Sequence, residues 1–506
     1  MGNKRMIKCL KYACCVGFAY ILAHPFASNL FIHLIMVVAT APLVIKLLQK
    51  YQNHKQMKLK RRHYLTLLQC FAGELSAGGT YHIALVKTTE ILQKQMKSDQ
   101  AIYCALEEGI MSLKRQERLS DTMITIGQRI DLPESRSLFS TLAQNLELGN
   151  QTVHIVRDAR DMYAKQLEIE EETKTEQAAT ITEAVCLMVV PFVMAKLFNN
   201  MFTGITEETG FTGFTITTVI LVSAYCIACL AMFLGCKMLF PVSAFTFYNR
   251  PRKKSQNFWI EKLATTSGIQ YLARRLQSFL TPHYLSEWNQ MIEKSCSTPR
   301  RIKDEIALRL TVILIFEVVV LLATIGGGLP LWMPAVTPLL TWLFLDQQLR
   351  QQFKHRELTV NAEMPLLLET FLQFLRAGEV TEAALKRTLT SQKEFVTTLH
   401  LMIREALKNV QTGSSLDYEL NKLARRFSTV QIQSVFILIA QFHQTGHSDT
   451  LDSLNEQKYA CWQLYKKVIQ EKGKNLATRL LLPMSLDLLS VMLIAITPAV
   501  NIFTAF

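Results

Sequence analysis

One stretch of this chain occurs twice, about 300 residues apart, and each copy stands beside long uncharged runs. Phe71-Ala-Gly-Glu-Leu75-Ser-Ala77-Gly78 aligns without a gap on Phe371-Leu-Gln-Phe-Leu375-Arg-Ala377-Gly378. Leu67-Leu68 falls on Leu367-Leu368, and Ala84-Leu85 on Ala384-Leu385. Roughly 8 identities in about 19 positions exceed the two or so that chance gives in Leu-rich sequence. A later part repeats as well, now 297 residues apart: Arg129 with Arg426, Ser137 with Ser434, Ala143-Gln144 with Ala440-Gln441, and Gly149 with Gly446. Each copy reads as a helical hairpin around an Ala-Gly turn, a variable middle, and a second hairpin around a later glycine. A duplicated module of this kind excludes a single globular domain and favours a scaffold.

The uncharged runs set the rest of the architecture. Between Lys11 and Lys46 there is no Asp, Glu, Lys or Arg. At about 1.5 Å per residue this exceeds one hydrocarbon crossing of about 30 Å, so the run reads as two helices turning at His24-Pro25, with one long tilted span as the alternative. The first apolar stretch mimics a signal peptide, but a second follows at once and a basic cluster (Lys55, Lys58, Lys60, Arg61, Arg62) holds the next segment inside. Further spans are expected at 181–201, 213–236, 310–325, 331–345 and 480–506. The link 199–213 carries Glu207 and Glu208 but no Lys or Arg, as befits an outer loop. Gly326-Gly-Gly328-Leu-Pro330 joins the fifth and sixth of the seven predicted crossings.

Three- and four-residue recurrence of Leu, Ile and Ala makes the remaining blocks helical. The acidic stretch Glu168 to Glu172 is expected on a solvated helix running into the membrane. The fold class is therefore all-α: a polytopic membrane protein with two repeated cytoplasmic helical-bundle modules. Its parts are a membrane hairpin (1–50), a first cytoplasmic module (51–178), a helix pair (179–240), a basic amphipathic linker (241–308), a second helix pair (309–347), a second cytoplasmic module (348–476) and a C-terminal span (477–506). The linker's Phe258, Trp259, Leu263, Tyr271, Leu272 and Leu276 suit a helix lying on the inner membrane surface. All basic blocks then lie on one side, so the net charge of +14 follows from membrane orientation, not from nucleic-acid binding.

Catalytic motifs are missing. No Gly-x-x-x-x-Gly-Lys-[Ser/Thr] loop occurs to cradle a triphosphate, and neither Gly-x-Ser-x-Gly nor His-Glu-x-x-His is present. No cofactor or metal is expected: His443 and His447 have ligand spacing but no convincing third donor. The eleven cysteines fall largely in apolar runs and form no disulfide framework; Cys226-x-x-Cys229 lies inside a predicted span, where cysteine packs as a small hydrophobe. Glu317 and Asp487 stand out, since a carboxylate in an apolar span is costly and marks pairing or function.

These residues resemble the type II secretion F family, inner-membrane platform proteins of secretion and pilus machines. The family element Phe-x-x-x-Leu-x-Ala-Gly, an Ala-Leu pair and a later Gln…Gly turn correspond to Phe71, Leu75, Ala77, Gly78, Ala84, Leu85, Gln144 and Gly149. In the second copy they correspond to Phe371, Leu375, Ala377, Gly378, Ala384, Leu385, Gln441 and Gly446. Arg479-Leu-Leu-Leu-Pro483 resembles the close of family modules. With a span pair before each module, the chain resembles the B and C platform proteins of tight-adherence (Flp-type) pili joined end to end. It departs from the family at the second turn, where Glu147-Leu-Gly149-Asn and Thr445-Gly446-His replace Gly-Glu-x-x-Gly.

The resemblance implies a non-catalytic platform in the bacterial cytoplasmic (inner) membrane. A hexameric cytoplasmic assembly ATPase would dock on the modules, and pilins or pseudopilins would be received by the spans, with Glu317 and Asp487 as intramembrane contacts. It leaves open a homo-oligomer. The competing reading is a membrane transporter using Glu317 and Asp487; against it, the repetition lies in the soluble parts, not in the spans.

Overall fold

The computed structural model describes residues 2–26, 30–95, 101–147, 153–209, 214–239, 302–325, 333–392 and 397–505, with scattered helical positions between 271 and 288. The described residues are all-helical, with no strand among them. The helices are α1 (Gly2–Ala23), α2 (Leu30–Ser76), α3 (Tyr81–Gln95), α4 (Ala101–Lys114), α5 (Leu119–Ile130), α6 (Pro133–Glu147), α7 (Val153–Glu176), α8 (Ala178–Thr209) and α9 (Phe214–Leu239). After the linker come α10 (Ile302–Ile325), α11 (Met333–Arg376), α12 (Thr381–Ser391), α13 (Thr398–Gln411), α14 (Leu416–Arg425), α15 (Val430–Thr445) and α16 (Ser448–Ala505). They fall into two compact units, one of residues 1–67, 160–244 and 469–506, the other of residues 68–159 and 245–468.

The first unit holds the apolar stretches that qualify as membrane spans by length and composition, in Leu30–Ser76, Ala178–Phe198, Val219–Leu239 and Ser448–Thr497. The shorter apolar helix Ala13–Phe26 precedes them. The chain breaks at a 3-10 turn, His24–Phe26, because proline at 25 disfavours helix in the residue before it. That turn separates α1 from α2, giving two helices in the N-terminal apolar run. Leu30, Phe31, Val38, Leu197, Val219, Leu481 and Leu488 are exposed, as apolar side chains are where hydrocarbon is the solvent. Inside, the rings of Phe26, Phe192 and Tyr225 pack edge to face at 5.2–6.4 Å. Tyr225 Oη donates to Thr40 Oγ1 at 3.1 Å, and Ser490 Oγ donates to the Ala224 carbonyl at 2.9 Å, tying α2 to α9 and α9 to α16.

Two elements differ from the sequence-based expectation. α8 continues as helix to Thr209, beyond its apolar run, because nothing in 199–209 forces a break as proline would. Glu170 is not solvated: it is buried against Arg61, whose Nη1 and Nη2 donate to its two oxygens at 2.7 and 3.1 Å. This bidentate pair joins α2 to α7 beside the edge-to-face rings of Tyr64 and Tyr163, whose centres are 5.0 Å apart. Glu171, one residue on, remains exposed and pairs with Arg62 at 2.7 Å, as a solvated face does. The linker lies largely outside the described residues, as do Gly149 and the 326–330 turn.

The second unit packs α3 against α4, α4 against α5, α5 against α6, and α13, α14 and α15 likewise in succession. α14 buries Leu416, Leu420, Leu423 and Ala424 on one face, the i, i+4, i+7, i+8 spacing of an amphipathic helix. α5 ends at Asp131 in the left-handed region (φ 53°) and α6 begins with Pro133, whose missing N–H costs nothing at a helix start. The helices of this unit recur at constant spacing. α4, α5 and α6 begin at 101, 119 and 133; α13, α14 and α15 begin at 398, 416 and 430, 297 residues later each time. α3 and α12 begin 300 apart, at 81 and 381, so the three-residue change lies in the connection that follows them.

Candidate functional site

The repeated motif builds a specific helix ending. In α2, Gly78 N–H donates to Leu75 O at 3.1 Å and Gly79 N–H to Glu74 O at 3.1 Å. In α11, Gly378 N–H donates to Leu375 O at 2.9 Å and Glu379 N–H to Phe374 O at 3.2 Å. These are the two reversed bonds of a Schellman ending, and both glycines have φ 85°, where a Cβ would be strained. Phe71 and Leu75, with Ala84 and Leu85 from the next helix, are buried beneath the first turn. Phe371, Leu375, Ala384 and Leu385 are buried beneath the second. The motif is thus explained by packing and backbone geometry. Lys87 reaches Glu74 at 3.1 Å across the first turn, and Arg387 reaches Glu379 at 3.0 Å across the second, basic residues at corresponding positions.

The second hairpin repeats a charge pair. Arg129 donates to Glu108 at 2.8 Å and Arg426 to Glu405 at 3.3 Å, so both partners recur 297 residues apart. The arginines stand out in the sequence; the glutamates are missed because the matching window there contains no other identity. Phe139 and Phe436, at corresponding positions, are both fully buried. Gly446 closes α15 with φ 63°. Gln144 is half-buried and Gln441 exposed, with no side-chain contact in common.

A charged seam runs between the end of α11 and the last helices of both blocks. Arg376 donates through Nη1 to Asp158 on α7 at 3.0 Å and through Nη2 to Asn455 on α16 at 2.7 Å. Asp158 and Asn455 are themselves corresponding positions, 297 apart. Beside them buried Glu369 pairs with Lys458 at 3.3 Å; burial raises its carboxyl above the ordinary range, against the pull of the lysine. At the corresponding turn of the first block, Ser76 accepts from Arg157 at 3.0 Å.

Two further clusters lie in this unit. Trp288 is buried, stacked on Trp342 at 5.7 Å with the Arg309 guanidinium 3.9 Å from its ring centre, and donates Nε1–H to Asp346 at 2.9 Å. This fastens one point of the linker to α10 and α11. In the second block His400 sits between Gln392 Oε1 (2.9 Å) and Thr397 Oγ1 (2.7 Å), and Gln392 donates on to Thr370. Burial, with Arg404 adding, lowers the His400 imidazole to about 4.

The two intramembrane carboxylates have different surroundings. Glu317 on α10 is half-buried and accepts from Thr337 Oγ1 on α11 at 2.7 Å, so its helix partner is the adjacent span. Asp487 on α16 is buried to 2% exposure, and neither oxygen has a hydrogen-bond partner among the described residues. It lies between Pro483, which faces Gly235 of α9, and Ser490, which is bonded to Ala224 of α9. His443 and His447 are exposed, and no group of three or more potential ligands that could hold a metal occurs among the described residues. Cys226 and Cys229 are free thiols. No family model, curated protein or solved structure matches this chain.

Proposed function

We propose that the chain is a non-catalytic platform of a type II secretion or type IV (Tad/Flp-like) pilus assembly machine in the bacterial inner membrane. The observation that carries this reading is the recurrence of one Schellman-ended hairpin and one Arg–Glu hairpin at constant spacing, beside helices apolar enough to cross a bilayer. The two blocks are copies of one helical module, and both face the cytoplasm. Together with α1, α10 and α11 the spans number seven, which leaves the C-terminus outside.

In this reading a cytoplasmic hexameric ATPase docks on the modules and the spans receive pilins or pseudopilins. α2, α11 and α16 support such coupling physically. Each is a continuous helix that runs from an apolar stretch to a module turn or core, with prolines at 42, 338, 365 and 483 inside them. Asp487 offers a polar contact within the spans and Glu317 a second, already satisfied by Thr337.

The test has two steps on the full-length chain in native membranes. Single cysteines at 54, 110 and 410 should be shielded from an impermeant outside reagent, while 207, 328 and the C-terminus label. A module that labels from outside cannot meet a cytoplasmic ATPase, and the platform mechanism then fails. If the topology holds, a hexameric assembly ATPase of the same cell should co-purify with the chain, and absence of any complex argues against docking.

A further inference from the structure

The seam around Arg376 is asymmetric in a way that the repeat itself does not require. Arg376 corresponds to Ser76, Asp158 to Asn455, Glu369 to Gln69 and Lys458 to Asp161. The arginine of the second block therefore meets an acid that only the first block carries, at 3.0 Å, while its other arm takes the neutral counterpart Asn455 at 2.7 Å. Arg157 of the first block is engaged elsewhere, by Ser76 at 3.0 Å. The two helices that carry Asp158 and Asn455 also meet further along. Gln470 of α16 donates to Glu176 of α7 at 3.4 Å, and a Cβ at Gly473 would meet the Gln177 amide first and lie 3.3 Å from Thr173 Cγ2. Because 470 corresponds to 173 and 473 to 176, these two contacts are reciprocal. That is the signature of a local two-fold relation between α7 and α16.

A two-fold pairing of like modules is open to alternatives. Two chains could pair first block with first block and second with second. We propose that Arg376 and Asp158 are the specificity pair that selects first-with-second pairing and disfavours pairing of like blocks between chains. In a first–first pair two Asp158 carboxylates would approach the axis with serine where the arginine stands. In a second–second pair each Arg376 guanidinium would meet Asn455 where Asp158 now stands. Each wrong pairing doubles one sign at the seam, with Arg157 (first–first) or the buried, lysine-paired Glu369 (second–second) as the nearest offset, whereas the observed pairing places one of each sign in direct contact. The ion pair is partly exposed and adds little stability of its own; its effect is on partner choice. The inference rests on the contacts themselves and is independent of what the platform assembles.

The experiment uses the full-length chain in lipid nanodiscs, in a cysteine-free background carrying Glu176→Cys and Gln470→Cys. Mild oxidation should link the unmodified seam within one chain, giving a shifted monomer on a non-reducing gel. Arg376→Asp and Asp158→Arg should each lower that link about fivefold and raise 176–176 or 470–470 links between chains. The double exchange, Arg376→Asp with Asp158→Arg, should restore the intrachain link to about the original level. Single reversals that leave the pattern unchanged overturn the proposal. A double exchange no better than either single change overturns it too, and also covers the case in which each single variant merely misfolds.

Discussion

Replacing Gly127 by alanine is expected to destabilise the first helical block, although alanine is the residue found at the corresponding position of the second. Gly127 lies where α5 crosses α6. A Cβ there would sit 2.8 Å from Phe139 Cβ, 3.1 Å from the Ser135 carbonyl oxygen and 3.4 Å from Arg136 Cα. Carbon contacts are optimal at about 3.5–4.0 Å, and the nearest atoms are backbone or Cβ, so no rotamer change relieves the clash. The helices must part by several tenths of an ångström, straining the bond from Ser135 Oγ to Gly127 O (3.0 Å) and loosening buried Phe139. Overpacking costs about 1–3 kcal/mol and the weakened bond about 1, against a helix-propensity gain of about 1 for alanine, leaving about 2 kcal/mol. At the corresponding position the second block has Ala424, buried to 2%. Ala424→Gly loses about 1 kcal/mol of helix propensity and about 0.8 for one buried methyl, about 2 kcal/mol in all, without forcing helices apart. Thermal unfolding of full-length protein in detergent, followed by cysteine accessibility at half-buried Cys70 for the first block and buried Cys461 for the second, separates the two. A Gly127→Ala variant as stable as the parent would refute the close-crossing argument.

Arg61→Ala leaves Glu170 buried without its cation and should cost about 3–5 kcal/mol, whereas Arg61→Met with Glu170→Leu should cost far less, both read as thermal midpoints. Because His400 titrates near 4 in the fold against an ordinary value of 6.5, the unfolded chain takes up this proton first. The stability it contributes is complete above about pH 6.5 and declines by about 3 kcal/mol as pH falls towards 4. His400→Gln should flatten that acid slope in denaturant titrations, and an unchanged slope means that other groups cause it. Asp487→Leu should raise the midpoint by about 1–3 kcal/mol, since two buried carboxylate oxygens lose their unmet need for donors. If the variant is more stable yet assembles no filament, the carboxylate is kept for function; if it is less stable, a partner within the bundle holds it.

Much of the fold was legible because its strongest signals are local. An apolar run without charge, a proline at 25 and a glycine after Leu-x-Ala each dictate backbone geometry within a few residues. The same holds for the helix faces around Leu416–Ala424. What was not legible depends on pairing at a distance. Glu170 looks like one of four acids on a solvated face, and only the packing of α2 on α7 reveals that its partner is Arg61, 109 residues earlier. Glu405 and Glu108 carry no local signature either; the arginines that bind them do, through the repeat. Trp288 shows the same limit, since its cage comes from α10 and α11 and its own neighbourhood in sequence is an undistinguished basic linker.

The signature residues and the distinctive contacts turn out to be different sets. Phe71, Leu75, Gly78 and their counterparts are alike in the two blocks because both must end a helix the same way over the same apolar pocket. Such residues define the module but cannot tell one copy from the other. The residues that can are those where the copies diverge: Ser76 against Arg376, Asp158 against Asn455, Gly127 against Ala424. Divergence at an exposed position usually carries no energy, but here each difference falls where helices cross or where the two blocks meet. Whatever distinguishes the roles of the blocks must act through such positions, because the shared motif presents the same turn and the same core in both. A search for the face that meets a partner protein therefore gains more from the unlike pairs than from the repeated motif.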